Sequence, residues 1–171
     1  KDLIATFSSG VKFKDRFKYF MKYLMIRFRL LELKKNFEFK KEKLGWKDIY
    51  HIVIFPVMGE KEKILRESLR AIVKADYPLD KFIVLIAAEA RAGEGYIDSV
   101  NELAKEFRGK FRHLECVVHP DKLPGEARVK GANITYAAKE AARYFREREI
   151  PFENVVASCF DADTVVSPSY F

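Results

Sequence analysis

The sequence predicts an α/β protein: a mainly parallel sheet with helices on both faces, preceded by a basic amphipathic helical arm. Two observations predict the sheet. Short runs rich in β-branched and aromatic residues alternate with amphipathic segments of helical period, and the runs are apolar at consecutive positions rather than at every second one. A third observation separates the arm. Residues 1–50 hold 14 Lys and Arg against 6 Asp and Glu, whereas the remainder holds 18 against 19. The net charge of +7 therefore belongs to the arm, and the rest is a nearly neutral domain. With 171 residues, 49% of them hydrophobic, the chain can bury one real core, which excludes a disordered polar chain. No run of about 18 uncharged apolar residues reads as a membrane span. The expected boundary lies between an arm over 1–48 and a domain over 49–171.

In chain order, the arm places Phe13, Phe17, Phe20, Met21, Leu24, Phe28 and Leu31 on one helical stripe flanked by lysines and arginines. Such a helix can pack on its own domain, or lie on an anionic membrane surface through residues 11–43, where aromatic and basic residues both suit the boundary. No recognised nucleic-acid motif accompanies the basic residues, so nucleic acid is not expected as a partner. "IYHIVIFPV" reads as a buried strand ending at Pro56, and the next segment as a helix with Ile64, Leu65, Leu69, Ile72 and Val73 on one face. Asp76-Tyr77-Pro78 breaks that helix. "KFIVLIAA" is the second strand, and "GYIDSVNELAKEFRG" the second helix, closed by Gly109. "HLECVVH" is the third strand, the segment over 127–149 the third helix, and "NVVASCF" the fourth strand, running into two aspartates. Cys116 and Cys159 lie in apolar runs and read as buried, reduced thiols. His119, before Pro120, reads as a loop histidine.

In an open parallel sheet, ligands sit outside the carboxyl ends of the strands, so the chemistry is sought just after each strand. Asp161 and Asp163 follow the fourth. In an extended segment, residues i and i+2 point the same way, and two carboxylates so placed repel unless a cation or shared proton relieves them. Hard oxygen donors suit Mg²⁺ or Mn²⁺, whose shells are completed by water and phosphate oxygens. The spacing thus expects a divalent cation bridging protein and diphosphate. A solvated turn whose second aspartate caps a helix is the alternative.

Four stretches together resemble the family-2 glycosyltransferases, whose catalytic domain has the nucleotide-diphospho-sugar-binding GT-A fold. They are "HIVIFPVMGEKEKILRESLRAI", "ADYPLDKFIVLIAAE", "VKGANITYA" and "FDADTVVSPSYF", covering about residues 50–171. The resemblance implies a metal-assisted and inverting transfer of a sugar from a nucleotide-diphospho-sugar donor to a glycan or lipid acceptor. Pro56 and Glu60 would lie beside the nucleoside, and Glu89 would read the base. Lys130 would face the diphosphate, Asn133 would shape the pocket, Asp161 would contact ribose or metal, and Asp163 would be the main metal ligand. The cation would act as a Lewis acid on the leaving nucleoside diphosphate. Gly59 stands where the family often has Asn and Met58 where an aromatic residue is frequent, which leaves the base unspecified.

The family's catalytic base and acceptor half come after its D-x-D. The sequence is therefore expected to be a donor-binding portion, with the base beyond Phe171 and further sequence, including membrane spans, upstream. Polysaccharide synthesis at the cytoplasmic face of the plasma membrane is the setting the resemblance implies. Two alternatives stay open. One is a haloacid-dehalogenase-like phosphatase with Asp161 as nucleophile and Asp163 as acid/base. The other is a membrane-associated nucleotide-binding module without catalysis.

Overall fold

The structure, a computed structural model, describes residues 22–32, 44–126 and 129–171. The chain divides into two compact units between Lys43 and Leu44. In the first, residues 22–32 are helical, and Met25, Phe28 and Leu31 are exposed beside Arg27 and Arg29. The remainder of the arm, including Phe13, Phe17, Phe20 and Met21, lies outside the described residues. Among the described residues no helix is long and apolar enough to cross a membrane.

The second unit is an α/β sandwich. Its strands are β1 (Tyr50–Val57), β2 (Phe82–Glu89), β3 (His113–His119) and β4 (Val155–Cys159), and its helices are α1 (Glu62–Val73), α2 (Glu94–Glu106) and α3 (Lys130–Glu147). All strand pairs are parallel, in the order β3-β2-β1-β4. Crossovers between parallel strands are right-handed, so the direction of travel across the sheet fixes which face each helix covers. From β1 to β3 the chain moves one way, and α1 and α2 share a face. There Val53, Phe55 and Val57 meet Val84, Ile86 and Ala88 under Leu65, Leu69, Ile72, Val100 and Leu103. To reach β4 the chain reverses across the sheet, and α3 covers the opposite face with Ala137, Ala141 and Phe145 over Ile52, Ile54, Ile83 and Leu85. β2 is buried at every position because both neighbours and both helical layers cover it.

Several local expectations change. β1 continues past Pro56 to Val57, with Pro56 paired in register to Ala87. A proline is tolerated in this inner strand because Ile54 O takes the Phe160 N–H (3.0 Å) on the β4 side. Pro56, two residues on, turns its nitrogen to that same side, beyond the last paired residue of β4. Ile64 is 39% exposed instead of joining the core; the buried face of α1 uses Ser68 and Ala71. β4 is apolar in sequence yet half open, with Val156 48% exposed, because it is an edge strand paired only to β1. For the same reason Cys159 is exposed; Cys116 is partly buried, and both thiols are free.

After β4, residues 160–171 return along the α1 side. Ser68 Oγ donates to Ala162 O at 2.7 Å, and the Asp76 N–H to Pro168 O at 2.7 Å. Phe171 packs edge-on against Phe82 at 4.7 Å and against His51 at 5.1 Å.

Candidate functional site: a groove at the sheet's switch point

The reversal of chain direction lies between β1 and β4, and at their carboxyl ends the loops part to leave a crevice, the common ligand position in open α/β sheets. An open cleft of about 290 Å³ is lined by Glu60, Ile64, Lys130, Asp161, Ala162 and Asp163. Another, of about 160 Å³, is lined by residues that include Pro56, Met58, Glu60, Glu89, Lys130 and Asn133. Glu60 and Lys130 line both, so the two are parts of one groove. All seven residues singled out from the sequence reach it, from the ends of three strands and the start of α3. Asp161 and Asp163 occupy one part, Pro56, Glu89 and Asn133 the other.

The aspartates do not continue β4. They lie on a turn closed by the Thr164 N–H to Asp161 O bond of 2.9 Å. What points them outward is Ala162 between them, 5% exposed and pinned by Ser68 through its carbonyl. A small apolar residue held in the core leaves its neighbours on either side facing the cleft. The expected common direction thus survives although the backbone is turned. Lys130 Nζ forms an ion pair with Asp161 Oδ1. Asp163 has no ion-pair partner among the described residues.

Glu60 stands two residues before α1. Its Oε2 accepts the Met58 N–H at 2.6 Å and the Tyr96 hydroxyl at 3.3 Å, so both bonds fall on one oxygen. Gly59, at φ 116°, makes that tight return feasible, in a backbone region costly for any other residue. Burial pushes the Tyr96 hydroxyl above its ordinary value, opposed by the Gly59 backbone bond and reinforced by the Glu60 charge, so Tyr96 stays a protonated donor. Asn133 is 1% exposed and donates Nδ2–H to Ala87 O at 2.6 Å, tying α3 to β2, while its Oδ1 is buried without a partner. That oxygen lies beneath the groove surface, so the amide shapes the groove's floor. Glu89 is 8% exposed and held by the Arg91 guanidinium, whose charge that contact stabilises.

Sequence reasoning missed Arg91, Tyr96, Ser68 and the position of Ile64. Arg91 did carry a signal, since it stands in "AAEARAG", directly after β2, where a cation beside a lone glutamate is a natural pair. Tyr96 carries no signal of its own, since its role comes from a contact between α2 and the β1 loop.

The groove suits a hard divalent cation in part. Two carboxylates face one cleft, but among the described residues no group of three or more His, Cys, Asp or Glu side chains could hold a metal ion. The remaining shell would fall to water and ligand oxygens, as Mg²⁺ and Mn²⁺ commonly accept. Beside this acidic pair stand a cation, Lys130, and a recess where Glu60 and Glu89 offer acceptors beside Arg91. That combination can take an anionic ligand by its phosphate end and a donor-bearing ring at the other.

No protein-family model matches the chain, and no curated protein matches it. Among solved structures, the chain is similar to a mannosyltransferase from Pyrobaculum calidifontis in complex with GDP-mannose and Mn²⁺. The identity is 21% and the TM-score 0.42, over 85% of this chain and 36% of that one. The present chain thus corresponds to about a third of that protein's length.

Proposed function

We propose that the unit over 44–171 binds the nucleoside-diphosphate portion of an activated sugar and serves a metal-assisted glycosyl transfer to a glycan or lipid acceptor. One observation carries this reading. Glu60, Lys130 and the Asp161–Asp163 pair, far apart in sequence, converge on a single open groove at the switch point of a parallel sheet. Asp163 and Asp161 offer the carboxylate oxygens for Mg²⁺ or Mn²⁺, which when bound supplies Lewis acidity to a departing diphosphate. Lys130 offsets phosphate charge. Glu89 faces the nucleoside and accepts hydrogen bonds from it, Asn133 shapes the pocket beneath it, and Pro56 and Glu60 border it. The resemblance to the family-2 glycosyltransferases in the sequence motifs points the same way and implies inversion.

Calorimetry with ADP, CDP, GDP and UDP, each with and without Mn²⁺, tests the reading. At least one should bind, only with the metal, and Asp163→Ala should remove that binding. If the folded protein binds none of the four in the presence of Mn²⁺, the reading fails. Hydrolysis of a simple phosphate ester dependent on Asp161 would favour the phosphatase alternative instead.

The arm is assigned to an anionic membrane surface at the cytoplasmic face, supported by the exposed Met25, Phe28 and Leu31 beside Arg27 and Arg29. Co-sedimentation with vesicles containing phosphatidylserine should fall steeply with salt. Equal binding to neutral and anionic vesicles would remove that assignment.

A further inference from the structure

We propose that Lys130 is an exchangeable counter-ion which makes cation and diphosphate bind cooperatively. The inference rests on the nucleoside-diphosphate reading of the groove. Lys130 is the first residue of α3 and lines both parts of the groove. Its ammonium sits on Asp161 Oδ1, on one of the two carboxylates a cation would use. Both side chains are more than half exposed, 54% for Lys130 and 67% for Asp161, so water screens the pair and holds it only weakly. The neighbouring Glu89–Arg91 pair differs, with Glu89 only 10% exposed and its partner two residues away.

A divalent cation engaging Asp161 and Asp163 competes with the ammonium for Asp161, because two positive charges within a few ångströms on one carboxylate repel. Lysine is a point charge on a four-carbon stem, free to swing, unlike a planar guanidinium locked in a fork. Displaced alone, it is left unpaired beside a second cation. Displaced in the presence of a diphosphate, it gains phosphate oxygens in exchange for the carboxylate. The cation by itself therefore loses an ion pair on binding, whereas cation and diphosphate together do not. By linkage, each tightens the other by the same factor.

Two measurements test this. Mn²⁺ binding, followed by the loss of the free-ion electron paramagnetic resonance signal, is compared between the wild type and Lys130→Met. The variant should bind Mn²⁺ alone roughly two- to fivefold more tightly, the range expected for an exposed pair. It should also show a smaller mutual enhancement between Mn²⁺ and the nucleoside diphosphate, keeping only the part that direct cation–phosphate contact supplies. Separately, on protein with ¹³C-methylated lysines, Mg²⁺ should move the Lys130 resonance, identified by its absence in Lys130→Met, to the position that Asp161→Asn already gives it. Mn²⁺ affinity unchanged or weakened in Lys130→Met, no Mn²⁺ binding by either protein, or a Lys130 resonance unmoved by Mg²⁺ overturns the proposal. Failure of the nucleotide reading looks different: Lys130 still responds to the cation while no nucleoside diphosphate binds.

Discussion

Two recesses open along the carboxyl edge of one sheet, and they hold similar residues to different ends. The narrow one, about 20 Å³ beyond β2 and β3, contains Glu89, Arg91, His119 and Glu126. Its polar side chains close on near neighbours: Glu89 with Arg91, and His119 with Glu126 at 2.9 Å, seven residues on. The wide part of the switch-point groove contains Glu60, Lys130, Asp161 and Asp163, and the ion pair there, Lys130 with Asp161, spans 31 residues. The His119–Glu126 pair, made within one loop, holds that loop's shape, whereas Glu89 and Arg91 border both recesses. A pair made across elements forms only because the fold brings distant strand ends together, and its exposed members are available to exchange partners. Segregation of charge at a strand end therefore says little until the partners are known.

The largest test of this contrast sets Asp163→Ala against Glu126→Gln. The first should weaken metal-dependent nucleoside-diphosphate binding on the order of 100-fold, the scale of a lost charge-assisted contact. The second should leave that binding unchanged and lower stability by less than about 1 kcal/mol, as expected for a partly exposed pair. Comparable ligand loss in both variants would erase the distinction between the recesses.

Asn133→Ala comes next, at the border between them. It removes one buried hydrogen bond to the Ala87 carbonyl, which keeps its place in the β1–β2 ladder, and the loss should cost about 0.5–1.5 kcal/mol, readable as a lower urea midpoint. It should also weaken nucleoside-diphosphate binding, since the side chain that shapes this part of the groove is lost. Intact stability in the variant would mean that water replaces the amide.

A smaller effect sits at the opposite edge of the sheet, where His51 packs against Tyr77 at 4.6 Å and Phe171. Burial lowers its pKa from the ordinary 6.5, so folding favours the neutral ring. The unfolded chain then binds more protons, and the stabilising contribution is complete above about 6.5 and is lost as pH falls through the lowered folded value. The urea midpoint should decline below pH 6.5, and His51→Phe should flatten that decline. An equal decline in the variant would assign the effect to other groups. Ligand comparisons are accordingly best made above this range.

The smallest test is chemical. Burial pushes the Cys116 thiol, on β3, up to about 11. Cys159, at the open end of β4, is also raised by burial, but Lys130 opposes the shift. Iodoacetamide at about pH 8 should modify Cys159 first, as mass spectrometry of peptides would show. Preferential labelling of Cys116 would contradict the closed character of the β3 side.

Much of the fold was legible because its physics is local. The run "FIVLIAAE" has no polar face to offer water, so it could only be an inner strand, and it is buried throughout. Helix faces followed from period, with errors where the neighbours decide: Ile64 has helical spacing for the core but projects at the mouth of the groove. "VVASC" reads as buried as β2 does, and its exposure depends wholly on having one strand beside it instead of two. The gathering of Pro56, Glu60, Glu89, Lys130, Asn133, Asp161 and Asp163 could be anticipated from their strand-end positions. Their partners could not.

What the linear order of residues decided was the alternation of strands and helices, the sheet it implies, and the edge where chemistry had to lie, since periodicity and strand polarity are written residue by residue. What required the folded chain was everything that depends on long-range pairing. The reversal between β1 and β4 opened one recess and not the other. Ala162, fixed by Ser68, turned both aspartates toward the cleft although the backbone had left the strand. Lys130 met Asp161 across a crossover that no spacing rule encodes. Each is a contact between segments remote in sequence, and its geometry exists only once the core between them has packed.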